Sequence, residues 1–411
     1  MYRYQRKLTL LIFIILLGIL SVSKLNGEAS NGIKPSKPSK YYISSSRGND
    51  DKNGLSPAKA WKTFDRVNST ILSAGSKIYL KRGDTWNQKL VLQGSGNDSN
   101  AILLDAYGNG EKPIISGNDE ANDTCVYARN ISNWTIRNLD MRNALRGLHL
   151  QYDIVKAYNI QVSDCNFYDM NYSSKDGKIV GIGLCIEGDG KDTLYNPVVK
   201  NCKFIRCVNG LAINAGTQKL LCEDCFATGG LSAGFSLVNV RNSIIRQFVV
   251  RDVGGYLPYG TCAGFVVWCD GVTIDNCEFT RCKNGGGHDG VGFDFEGNSK
   301  NIVFTNNVIH DNDGAGIMVM STSGDNSNIL IKDCTLYNNC KSPSSDKANY
   351  EMLCWNNGST GSIINCKIYK SEAANYIHDN FSNFTKTNNK LDSYVNYVQM
   401  NMKLPQNGKN N

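Results

Sequence analysis

Apolar and polar residues alternate in twos along most of the chain, in runs of three to six residues that end at Gly, Asn or Asp. That period predicts short strands rather than helices. Two frames recur. The first is centred on cysteine: "VSDCNF", "VKNCKF", "CEDCFA", "IDNCEF", "IKDCTL" and "INCKIY", marked by Cys165, Cys202, Cys225, Cys277, Cys334 and Cys366. Leu139, Phe248 and Asn307 fill the same slot in three further units, so the repeat returns every 23 to 37 residues. The second frame reads Gly-apolar-X-apolar-X: "GLHLQ", "GLCIE", "GLAIN", "GFSLV", "GFVVW", "GFDFE" and "GIMVM". A repeat of this length with period-two strands marks a solenoid, because each unit buries its apolar side only by stacking on its neighbours. The expected fold is all-β, a parallel β-helix of about nine to eleven coils with a short N-terminal capping helix.

Stacked coils place like residues above one another at about 4.8 Å. The cysteines then form an interior ladder, since a thiol is small and tolerates burial. Unpaired buried thiols are the expectation, although an odd count of fifteen in an exported chain also admits disulfides. In the second frame the apolar positions face the core and the X positions face out. One outer face should therefore carry His149 and Gln151, Cys185 and Glu187, Ala212 and Asn214, Ser236 and Val238, Val266 and Trp268, Asp294 and Glu296, and Met318 and Met320.

The ends read differently. Residues 1–29 have a basic start and an apolar run from Leu8 to about Val22, the layout of a secretory signal. Residues 30–40 form a linker, 41–130 a cap with first irregular coils, 131–388 the regular solenoid, and 389–411 a tail or second cap. Thr63 to about Leu72 is the expected capping helix, with Phe64, Val67 and Ile71 on one face. Localisation is expected to be secreted or cell-surface, with no membrane association after cleavage and a monomeric state. The net charge of +7 includes Arg3, Arg6 and Lys7 of the leader, and no basic stripe suggests a nucleic-acid partner.

"YYISSSRGNDDKNGLSPAKAWKTFDRVN", then "GDTW", then "DAYGNGEKPIISG", resembles the start of secreted right-handed parallel β-helix proteins of the pectate-lyase-like superfamily. The resemblance covers nearly all of the chain after the leader. It implies a carbohydrate-active protein, in a superfamily that spans lyases, hydrolases, epimerases, esterases and non-catalytic adhesins. Locally, "VGFDFE" at 291–296 resembles the catalytic strand of alginate C5-epimerases, with Asp294 on that family's Asp. Val291 stands where that family has Tyr and Glu296 where it has His, so its proton-transfer pair is not reproduced.

Candidate chemistry concentrates in "GGGHDGVGFDFEGNS", residues 285–299. Asp294 and Glu296 are expected side by side on an open shelf, about 6.5–7 Å apart. Such a spacing suits inverting glycoside hydrolysis, in which one carboxyl protonates the leaving oxygen and the other activates water. His288 and Asp289 lie on the turn before this strand and are placed in the same centre. Trp268 offers a flat face for a sugar ring. Asp270 adds a third carboxylate, and Arg251 a cation for a lyase or epimerase. Glu187, Asn214 and His149 are expected to line a distal subsite. The expected partner is a polysaccharide or smaller glycan. No cofactor is fixed by these residues. Calcium is the candidate, through oxygen ligands such as Asp311 and Asp313, although both fit a turn as well.

The expected function is glycan cleavage by paired carboxylates. A polysaccharide lyase or uronate C5-epimerase, and a non-catalytic glycan-binding or adhesin protein, are the alternatives.

Overall fold

The structure, a computed structural model, describes residues 37–403 except 118–122, 154–155, 174–178, 189–192, 215, 256–260, 286–288, 343–348 and 357. The chain winds as a parallel β-helix with three long parallel sheets of 16, 12 and 11 strands. Each full coil contributes one strand to each sheet. In one such coil these are Asp270–Asp275 in the first sheet, Glu278–Thr280 in the second and Val291–Gly297 in the third.

The cysteine frame marks the bend between the first and second sheets. Asp164, Asn201, Asp224, Asn276, Asp333 and Asn365 all have φ between 51° and 55°. Asn and Asp tolerate this left-handed conformation best among residues with a side chain. The Cys that follows each one turns inward and is at most 2% exposed. Asn307 fills the same slot, accepting a hydrogen bond from Cys277 N at 2.8 Å and donating to the Ile274 carbonyl at 3.0 Å. All fifteen cysteines are unpaired, and only Cys262 is not fully buried.

Aromatic rings stack through the middle of the solenoid. Phe167 lies on Phe204 at 5.1 Å, and Phe293 packs against Phe304 at 4.7 Å and Phe279 at 5.3 Å. Fully burying one such side chain contributes roughly 1.5–3 kcal/mol.

The N-terminal helix is shorter than the sequence suggests, spanning only Asp65–Asn68. Phe64 and Val67 are buried, Phe64 against Trp86 with ring centroids 5.2 Å apart. At the other end, Lys390–Ser393 pairs in parallel with Lys367–Lys370, so the rungs continue past residue 388. The helix Tyr394–Lys403 follows, and its Tyr397 ring stacks on Tyr337 and packs against Tyr369. Among the described residues no helix is long and apolar enough to cross a membrane. The leader lies outside the described residues.

Candidate functional site

Strand Val291–Gly297 of the third sheet carries the acidic pair. It enters through Gly290, whose φ of +80° and close approach to Asn284 exclude a side chain. Phe293 and Phe295 point into the core, fully buried. Asp294 points outward between Phe265 of the preceding coil and Met318 of the next.

The two acids are on the outer side of the sheet, as alternation requires, but the open shelf is absent. Asp294 is only 4% exposed and Glu296 is half-buried. The cause is a second apolar cluster outside the barrel, formed by Val291, Ala315, Met318 and Leu353 with Cys262, Met320 and Tyr350 packed on it. The two carboxyls interact directly, each shifting the other's protonation. Thr322 Oγ1 adds a hydrogen bond to Glu296 Oε1 at 3.3 Å. Asp294 Oδ1 is buried without a partner.

Burial pushes both carboxyls up from their ordinary range. For Asp294 the Glu296 charge adds to the rise and places it well above 3.8, while for Glu296 the bonds from Asp294 and Thr322 oppose it. Both carboxyls therefore favour the protonated form, and they titrate as one pair. Asp289, half-buried on the turn before the strand, adds a negative field at both. His288 lies outside the described residues.

Other expected members fall elsewhere. Trp268 does not flank the acids. Gly264 opposes Phe293 rather than Gly292, one residue out of the repeat frame, so Phe265 stands beside Asp294 and Val266 is buried in the core, and a bulge follows between Val266 and Val267. Trp268 itself has φ 54° at the bend, bonded through N–H to the Gly297 carbonyl at 3.1 Å. Asp270 belongs to the first sheet, where it accepts from Asn301 at 2.8 Å and lies 3.5 Å from Lys300 Nζ. Arg251 belongs to the second sheet, held by Glu278 at 2.6 Å. Asp311 is a left-handed turn residue bonded to His310 at 2.6 Å, and Asp313 lies 3.5 Å from Lys283, so both have turn and ion-pair roles.

Of the expected distal subsite, His149 and Glu187 meet directly, Nε2 to Oε2 at 2.8 Å, with Cys185 beside them. Asn214 ends a strand one coil further on, opposite Val238. The Cys185 contribution escaped the sequence reading. Its outward position was legible, but its meeting with His149 depends on the register that pairs those two residues.

The comparisons with known proteins agree with the fold. A crystal structure of a GH136 lacto-N-biosidase from Eubacterium ramulus superposes with a TM-score of 0.65 at 15% identity, over 86% of this chain and 68% of that one. The A-module of a mannuronan C-5 epimerase from Azotobacter vinelandii gives 0.55 at 15% identity, over 77% of this chain and 91% of that one. A pectate lyase gives 0.52 at 16% identity, over 88% and 80%. At these identities the likeness is one of fold. In sequence, 84 residues are 32% identical to a lacto-N-biosidase of Bifidobacterium longum subsp. longum, covering 19% of this chain and only 5% of that enzyme. The model of the right-handed β-helix region matches residues 183–368 and 263–398, more than half of the chain. The protein belongs to the right-handed β-helix family.

Proposed function

We propose that this protein is an exported glycan-cleaving enzyme, a glycoside hydrolase whose proton donor is the Asp294–Glu296 pair. One observation carries the reading: two interacting carboxyls lie on the outer side of the sheet, Asp294 buried with its Oδ1 lacking a partner, and burial raises both. Charges that merely solvate a surface are neither buried nor orphaned in this way. A carboxyl held protonated near neutral pH is what protonation of a leaving oxygen requires.

The pair acts as one unit, because each carboxyl sets the other's protonation. The second role, activating water or attacking the sugar carbon, then falls to Asp289, whose charge reaches both acids. The lacto-N-biosidases matched in both sequence and fold support a hydrolase. A lyase or epimerase has less support, since Arg251 is engaged by Glu278 on another sheet. The basic, then apolar, N-terminus supports export.

The test is a panel of oligosaccharides and polysaccharides incubated with wild type, Asp294→Asn, Glu296→Gln and Asp289→Asn. New reducing ends from wild type alone, without unsaturated ultraviolet-absorbing products, are expected. Unsaturated products would establish a lyase, and binding without any product a glycan-binding protein. Full activity in all three variants would remove the site.

A further inference from the structure

Four coils from the acidic pair, the same outer column carries a second cluster. His149 and Cys185 stand directly opposite each other on neighbouring strands, and Gln151 opposes Glu187 in the same pairing. The ligand atoms of His149, Cys185 and Glu187 all lie within 4.8 Å of one another, His149 Nε2 being 2.8 Å and Cys185 Sγ 4.0 Å from Glu187 Oε2. His149 is 9% and Cys185 2% exposed, while Glu187 is half-buried.

We propose that His149, Cys185 and Glu187 form a zinc site that clips two adjacent coils together and keeps one coordination position open on the outer face. Zinc binds thiolate at about 2.3 Å and imidazole or carboxylate at about 2.0–2.2 Å, in a tetrahedron. Those lengths set the ligand atoms roughly 3.3–3.6 Å apart. The cluster meets this with changes of up to about 1.5 Å, the ion replacing the His149–Glu187 hydrogen bond. Three different ligand types converge here from two rigid strands, with the small Ala212 next to Cys185 in the following coil.

The charges balance at the ligands. Burial pushes the Cys185 thiol up to about 12, so its proton leaves only as the ion binds, and thiolate and carboxylate together then offset the dication. Arg146, 5% exposed on the His149 strand, adds a positive charge that favours the thiolate. The path Cys185, Ala212, Ser236, Phe265, Asp294 is four register steps, about 19 Å at ~4.8 Å each. The ion would therefore lie outside the reacting centre. The assignment does not depend on the function proposed above. It also turns His149 and Glu187 toward each other, and away from the sugar-binding role their sequence positions suggest.

The experiment titrates Co²⁺ and then Zn²⁺ into full-length protein freed of metal by chelator. One equivalent is expected, with the near-ultraviolet charge-transfer band of a cobalt–thiolate bond. Cys185→Ser, close in volume, should lose that band and bind zinc at least about tenfold more weakly; Glu187→Gln should retain the band and weaken binding by a similar factor. Circular dichroism confirms that both variants fold. Failure of wild type to bind stoichiometrically, or a band that persists in Cys185→Ser, would overturn the site. The remaining fourteen thiols provide the internal control for adventitious binding.

Discussion

Replacing Asp294 by Asn removes one of two carboxyls whose pKa values burial raises, and the consequence for stability follows from linkage. Asp294 and Glu296 both hold their protons more tightly in the folded chain than at the ordinary values of 3.8 and 4.5. Between those values and the pKa of the folded pair, the folded state binds more protons than the unfolded state. Stability then falls as pH rises, by about 1.4 kcal/mol per pH unit for each proton retained. This is the reverse of an ordinary ion-paired carboxylate. The contribution is fully present below the unfolded value and is lost as pH climbs through the folded one. An asparagine stays neutral throughout, so the variant should gain on wild type by about 1.4 kcal/mol per pH unit over that window. Unfolding entropy of about 2.1 cal/mol/K per residue, over the ~370 residues of the solenoid, converts this to roughly 2 °C in Tm per pH unit. Scanning calorimetry of both proteins from acid to neutral pH reads the divergence directly. In the same variant kcat should fall by about 10²–10⁴, the usual worth of a positioned acid. Wild-type and variant Tm values that run parallel at every pH would show both carboxylates ionised in the folded protein, and the raised pKa values would be refuted.

Two further outcomes test the core. Glu351 is fully buried and accepts from Asn339 N and Nδ2 at 3.1 and 2.6 Å, yet burial raises it to about 7. From 4.5 to about 7 it should remove roughly 3 kcal/mol of stability as pH rises. Glu351→Gln should abolish that part of the pH dependence at a constant cost of about 1 kcal/mol for the altered bond; a slope unchanged in urea titrations at several pH values would contradict the assignment. Phe293→Ala empties a site walled by Phe235, Phe279, Phe295 and Phe304 and should cost about 3–5 kcal/mol; a loss under 1 kcal/mol by the same titration would mean that the ring stack is not close-packed.

The repeat was legible because two independent physical constraints coincide in one dipeptide. The bend between sheets needs a left-handed residue, which selects Asn or Asp, and the next position needs a small buried side chain, which selects Cys. Aligning the second frame on its leading Gly worked for Phe293 and Phe295 but misplaced Trp268, because the preceding coil enters one residue out of step. The correct signal was present. Trp268-Cys269 occupies the bend slot of Asn298-Ser299, and φ is 54° and 49° at the two leading residues. Alternation likewise identified Asp294 and Glu296 as outward neighbours without revealing that each shifts the other's protonation. That depends on desolvation by residues from several coils. Part of that cover was readable in advance, since Met318 and Met320 stand in the outward positions of the following coil and an apolar outer face implies something packed upon it.

The three sheets treat their outer faces differently, and this difference locates the chemistry. The first and second sheets present rows of cross-coil ion pairs, such as Glu223 between Lys200 and Arg246, Arg206 with Asp169, and Arg281 with Asp252. Most of the partners are solvated, and such pairs are worth about 0–1 kcal/mol each. The third sheet instead covers most of its outward column: Cys185, Ala212, Ser236, Asp294, Met318 and Leu353 are all 4% exposed or less, with Phe265 half-buried between Ser236 and Asp294. Burial of this kind favours the protonated form of a carboxyl. Charge is cheap to place on the first two faces and chemically inert there. The acid pair and the His149–Cys185–Glu187 cluster both sit on the face where burial makes an ionisable group costly, and a costly group retained on a solenoid's outer side is one that its ligand must repay.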